Sequence, residues 1–264
     1  MAEAASTTDN LARRVLVAVN ACAAGIPALD AGVELAAALG AHLEGLFVEE
    51  AGLLHLAGLP FASEISALTG GWRSIAPVEI ERALRVEAAR LERLIEQAAE
   101  RACLPWTFAI TRGRLLAEAV ARRADFTVLG SFGGIGLSAR PPAASGRAPK
   151  RSVATLFDGS PATLRALVLS ARLAKAPDGE LSVFVPQGEP SSQSAACERA
   201  QSWLAAEQLA GTILRFAPAQ GAFIEALRAR RSAMLVLPVP HLTASLQELT
   251  ALVADLWCPL IIVR

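Results

Sequence analysis

Strand and helix signals alternate along this chain, and the alternation runs through twice. Val15-Leu-Val-Ala-Val19 is a continuous apolar, β-branched run, the mark of a strand buried on both faces. Asn20-Ala-Cys-Ala-Ala-Gly25 makes a small-residue turn, and a helical pattern follows from Pro27 to Leu39, where Gly40 stops it. His42–Val48 is a second strand. Pro77–Ala102 is a long amphipathic helix, with Ile80, Leu84, Ala88, Leu91, Ile95 and Ala98 recurring every three or four residues. Trp106–Ile110 is a third strand, Leu115–Arg123 a helix and Phe126–Leu129 a fourth strand. Such alternation predicts a parallel sheet with helices on both faces.

The pattern restarts at Ser152–Phe157. Helix 162–175, strand 181–185, helix 194–209, strand 212–216, helix 222–230, strand 234–237, helix 244–256 and strand 259–263 follow. The register is measurable. The second strand ends at Val48 and again at Val185, 137 residues later; Glu118-Ala-Val and Glu225-Ala-Leu lie only 107 apart. The first copy therefore carries about thirty extra residues, placed at Glu49–Ala76, apolar and punctuated by Gly and Pro. Stretches this long usually do something or carry their own structure. The first copy also stops early. Between Leu129 and Ser152 stand a glycine cluster and Arg140-Pro-Pro, which excludes a helix at that point and reads as a linker over 140–150. The expectation is two domains, 1–150 and 151–264, the first lacking its last helix and strand.

Composition narrows the class. Hydrophobic residues make up 53% of 264, which excludes a disordered chain. Lys+Arg and Asp+Glu are 25 each, and each copy is near neutral, so no basic surface for nucleic acid is expected. Apolar stretches are too short for a membrane span, and the N-terminal residues lack the apolar core of a secretory signal. Four scattered cysteines and three scattered histidines show no metal spacing. They read as reduced thiols of a cytoplasmic protein. No Gly-x-Ser-x-Gly elbow or P-loop lysine is present; Lys150 and Lys175 are the only lysines.

Val153–Ala174, with Asp158-Gly-Ser-Pro161 after its first strand, and Cys258-Pro-Leu-Ile-Ile-Val-Arg264 resemble the start and end of a universal stress protein domain. Val15–Asn20 and Glu34-Leu-Ala-Ala37 resemble the same start in the first copy. The resemblance covers most of the chain as a tandem pair. It implies α/β domains of the adenine nucleotide alpha hydrolase-like, Rossmann-like class: doubly wound parallel sheets of strand order 3-2-1-4-5, with dimer contacts through strand five. It also implies a non-catalytic stress-response protein that binds ATP in some members and not in others.

Nucleotide-binding members resemble one another in Gly-x2-Gly-x9-Gly-Ser/Thr after strand four. Glycines let backbone approach phosphates, and helix N-termini favour anions. Carried over, the first copy offers Gly130, Ser131, Gly133 and Gly136 for phosphate. Ala18 and Asn20 at the end of strand one and Val48 at the end of strand two would frame adenine and ribose. Departures are plain. Asn20 stands where an acid belongs. Ala143 stands where the third glycine belongs, and the shifted set Gly133, Gly136, Gly146 ends in Arg147. In the second copy Asp158 is present, but no glycine follows strand four, so no nucleotide is expected there. Each feature also has a plain reading: the glycines as a strand-end loop, Asp158 and Ser160 as a helix cap, Cys22 as a small buried residue, the arginines at 122–123 and 228–231 as dipole partners. The expectations are ATP in the first copy with the insertion as a lid, or a nucleotide-independent scaffold using the insertion as a contact surface. A slow ATP hydrolase is third. A homodimer is expected, with no metal, nucleic acid or membrane partner.

Overall fold

The computed structural model describes residues 13–21, 25–65, 70–74, 76–130, 152–175, 179–188, 190–217, 220–230, 232–239, 250, 253, 256 and 258–264. The first half comprises β1 (Arg14–Asn20), α1 (Gly25–Leu39), β2 (His42–Glu50), α2 (Ala51–Ala57), β3 (Ser63–Ile65), β4 (Trp72–Ser74), α3 (Pro77–Arg101), β5 (Trp106–Gly113), α4 (Leu115–Ala121) and β6 (Phe126–Leu129). The second comprises β7 (Ser152–Leu156), α5 (Pro161–Ala174), β8 (Glu180–Pro186), α6 (Pro190–Ala206), β9 (Gly211–Phe216), α7 (Gln220–Arg230), β10 (Met234–Pro238) and β11 (Leu260–Val263). The expected alternation holds, with bounds moved by a few residues. The insertion carries its own structure: α2 and the β3–β4 hairpin. The helix expected at 244–256 and the segment 131–151, with the linker and the boundary at 150, lie outside the described residues, except that Thr250 and Val253 are helical.

Nine strands form one sheet, in the order β5-β2-β1-β6-β11-β10-β7-β8-β9. Read from one edge to the other, the first half is 3-2-1-4 and the second is 5-4-1-2-3. Within this sheet every pairing inside a half is parallel. The single antiparallel pairing joins the halves: Leu260 faces Leu129, Ile261 faces Val128, Ile262 faces Thr127 and Val263 faces Phe126. The two half-sheets thus form one continuous sheet. The edge of β6 where a fifth strand of the first half would pair is filled by β11. The strand-five edge that the resemblance implied for a dimer is therefore used within the chain.

Strand alternation sends neighbouring side chains to opposite faces. Val15, Val17 and Val19 enter a core beneath α1 and α3, while Leu16 and Ala18 enter a core beneath α4. Each core draws residues from both halves: Val17 and Val183 share one, Leu46 and Phe184 the other. The first core depends on close approach of helix to strand. A Cβ at Gly32 of α1 would collide with Val17 Cγ2, and one at Gly45 of β2 would collide with Ile95 of α3.

Three helices end in the same way. After α1, α3 and α6, paired amide-to-carbonyl bonds close the last turn, as in Leu104 N to Ala99 O (2.9 Å) and Leu209 N to Leu204 O (3.0 Å). This is the Schellman arrangement, which needs a left-handed residue just past the helix. Gly40 supplies it after α1 (φ 60°), but Cys103 (φ 52°) and Gln208 (φ 54°) adopt it at the cost of their Cβ.

Two stability changes of opposite sign follow. At an exposed helical site Gly→Ala gains about 1 kcal/mol. Gly32→Ala is expected instead to lose about 1–3 kcal/mol, because overpacking against Val17 outweighs that gain. Gln208→Gly is expected to gain about 1 kcal/mol by relieving the left-handed strain. Urea unfolding monitored by circular dichroism checks both; a rise in midpoint for Gly32→Ala contradicts the close-approach account.

Candidate functional site

Ligands of open α/β sheets bind beyond the carboxyl ends of the strands, where strand order switches. The antiparallel β6–β11 junction turns the second half around, so the two carboxyl ends lie at opposite ends of the sheet. Asn20, Glu50 and Gly130 gather at one; Asp158 and Pro238 gather at the other.

Asn20 and Val48 are register partners at the first end, and Gly130 directly follows Leu129, the partner of Ala18. These predicted residues do converge. Ala18 and Val48 are fully buried in the core beneath α4, so they can offer a ligand only backbone. Ser131, Gly133 and Gly136 lie outside the described residues.

Asn20 is itself 6% exposed, and its Nδ2 donates to Glu50 Oε1 at 3.0 Å. The same oxygen accepts from Leu115 N, the first residue of α4, at 3.2 Å. A carboxylate thus stands at this end after all, supplied by the end of β2 rather than of β1. Beside it Glu49 Oε2 holds Arg112 through Nε (3.2 Å) and Nη2 (3.0 Å). Thr111 Oγ1 donates to Glu118 Oε2 at 3.2 Å. None of Glu49, Glu50, Arg112 and Glu118 stands out as a site residue in the sequence, where Glu49 and Glu50 read as the start of the insertion and Glu118 only as a repeat marker. The available signal was an acidic doublet closing an otherwise apolar strand.

On the opposite sheet face a cavity of about 230 Å³ opens between the start of α1 and α3. Val19, Phe47, Leu29 and Leu91 line it, with Glu87 and Arg90 at its rim, paired at 3.5 Å. It is smaller than the roughly 300–1,000 Å³ of ordinary ligand pockets, so it can take one ring system and not a whole nucleotide.

At the second end the plain reading of the turn holds. Asp158 Oδ1 accepts from Ser160 N and from Thr163 Oγ1, both at 2.7 Å, and Ser160 Oγ accepts from Thr163 N at 3.3 Å. These residues cap α5 and hold its first turn in place. The arginines closing α4 and α7 do more than face a dipole: Arg122 pairs with the buried Glu44 at 2.8 Å, and Arg230 with Glu180 at 3.7 Å. Cys22 lies outside the described residues. Among the described residues no cluster of three His, Cys, Asp or Glu is placed to hold a metal ion, and no helix is long and apolar enough to cross a membrane.

No family model matches the chain, and no curated protein matches it in sequence. Among solved structures, it is similar to a universal stress protein from Archaeoglobus fulgidus DSM 4304, at 10% identity and a TM-score of 0.53. The match covers 95% of this chain and 98% of that one. At this identity the likeness establishes the fold, and its span includes both halves.

Thiol chemistry divides by burial. Cys258 is 3% exposed, and burial pushes its pKa up to about 12; Cys103 is exposed. The thiolate is the nucleophile, so at pH 8 only about one Cys258 thiol in ten thousand is reactive. Peptide-resolved alkylation of the native protein at pH 8 is expected to label Cys103 and spare Cys258 until denaturant is added. Early labelling of Cys258 would show that the junction beside β11 opens.

Proposed function

We propose that this is a non-catalytic stress-response protein of the universal stress protein type, and that its first half binds an adenine nucleotide. The fold likeness supports the type. The observation that carries the nucleotide reading is the Asn20–Glu50 pair. The acid missing from the end of β1 is replaced, one strand over, by a carboxylate bonded to Asn20 and anchored on Leu115 N. A carboxylate is the natural acceptor for ribose hydroxyls. In this reading Asn20 and Glu50 take the ribose, backbone at Ala18 and Val48 takes the base edge, and Gly130, Ser131, Gly133 and Gly136 take the phosphates.

Chain length agrees with this assignment. The carboxyl end of β6 and the amino end of β7 lie at the same end of the sheet, three strand spacings apart, about 14 Å. About five extended residues would bridge that distance. About twenty are present, so the connection has chain to spare for a phosphate loop.

A second reading, the nucleotide-independent scaffold, is favoured by the insertion. Ile65 and Trp72 are cross-strand partners in the β3–β4 hairpin, 56% and 75% exposed, and Phe61 is 79% exposed. Exposed apolar clusters of this kind mark contact surfaces.

Calorimetry with ATP and Mg²⁺ separates the two. Saturable one-to-one binding is expected, abolished by Gly133→Asp and weakened about tenfold by Glu50→Gln, which keeps the shape and both hydrogen bonds but removes the charge. Absence of heat and of thermal stabilisation at millimolar ATP rules out the nucleotide reading and leaves the scaffold. Binding that survives Gly133→Asp shows that the phosphates sit elsewhere.

A further inference from the structure

The antiparallel junction creates a second opening, at the other end of the sheet from Asn20. On the face that carries α1 and α5, α1 packs on β1 and β6, and α5 on β7 and β10, with β11 between them. Strands lie about 4.8 Å apart, so the two helix axes stand three to four spacings from one another, about 14–19 Å. Packed helices approach to about 8–10 Å. The excess leaves a groove of about 430 Å³.

Its floor is the cross-junction pair Phe126 and Val263. Its apolar wall is Leu164, Val168 and Leu169 of α5, with Leu164 40% exposed. Arg13, Arg165 and Arg172 stand around it, all exposed. Among the described residues none of the three guanidinium groups has an ion-pair or hydrogen-bond partner. The other charges at the groove are engaged. Asp125 Oδ2 accepts from Arg14 N at 2.8 Å, and the Arg264 guanidinium donates to Val120 O at 2.8 Å. Elsewhere Arg112, Arg122 and Arg230 have found carboxylates. Among the described residues these are three guanidinium groups without a carboxylate partner around an apolar floor, against the single carboxylate of Asp125 in the lining, and so a local positive excess in a chain of zero net charge.

We propose that this groove binds a small amphipathic anion: an apolar body carrying one carboxylate, sulfonate or phosphate head. The body lies on Phe126, Val263, Leu164 and Val168. The head lies among Arg13, Arg165 and Arg172, whose planar forks suit an oxyanion. Size selects a small molecule over a docked helix, since two helical turns of 10–12 Å diameter alone fill roughly 850–1,200 Å³. The site is independent of the nucleotide reading, being built at the opposite end of the sheet by residues that reading does not use.

Anilinonaphthalene sulfonate, an apolar double ring with one sulfonate, is the probe. Titrated into the full chain, it is expected to show saturable fluorescence that octanoate displaces. Arg165→Glu with Arg172→Glu is expected to weaken binding at least tenfold without moving the thermal midpoint, because both side chains are exposed. Leu164→Asp is expected to weaken it comparably from the apolar side. Should the double reversal unfold the chain, Arg172→Gln alone carries the test, with an expected threefold loss. Fluorescence that fails to saturate, or an affinity within twofold of the original in these variants, overturns the proposal; the latter result would place the probe on another surface, such as the β3–β4 hairpin.

Discussion

The β6–β11 ladder is the constraint on which the rest of the molecule depends. Four residue pairs, Leu129–Leu260 through Phe126–Val263, turn two parallel half-sheets into one sheet of nine strands. Reversal of direction at that seam has three consequences. It places the carboxyl ends of the two halves at opposite ends of the sheet. It covers the edges of β6 and β11, which would otherwise be open templates for another chain. It also sets α1 and α5 too far apart to pack on each other, leaving a groove over the seam.

Around the seam, the halves repeat one solution with different residues. In each, an arginine past the fourth-strand helix reaches a glutamate near the start of strand two: Arg122 to Glu44, Arg230 to Glu180. The first pair is the more enclosed, since Glu44 is 7% exposed and also has Arg14 at 3.9 Å. A buried carboxylate needs such partners, because removing its counter-charge leaves desolvation uncompensated. The helix–strand approach at Gly32 and Gly45 belongs to the first half, where α3, a helix of 25 residues, must lie flat on β2.

Legibility of the site followed the range of the interactions involved. The cap at Asp158, Ser160 and Thr163 was readable because all its bonds fall within five residues. The convergence of Asn20, Val48 and Gly130 was readable because strand order in this class places those ends together. The Asn20–Glu50 bond spans 30 residues and the Glu50–Leu115 bond 65, and no local pattern announces either. Asn20 read alone departs from the family's acid; the fold sets the Glu50 carboxylate against it, one strand over. The insertion was legible as a stretch that does something or carries its own structure, but not as the particular helix α2 and hairpin β3–β4 it contains.

The sequence by itself determined the alternating strands and helices of the large sheet, their repetition and their parallel pairing, while the strand order within each half came with the family resemblance. Alternation and repetition follow from side-chain periodicity. It did not determine how the halves meet. Leu260-Ile-Ile-Val263 and Phe126-Thr-Val-Leu129 are equally apolar in either direction, so hydrophobic pattern cannot say whether they pair, or with which polarity. Only the tertiary structure decided that, because a sheet edge is satisfied by backbone bonds that any such strand can supply. With that choice made, the place of the groove between α1 and α5 was settled as well.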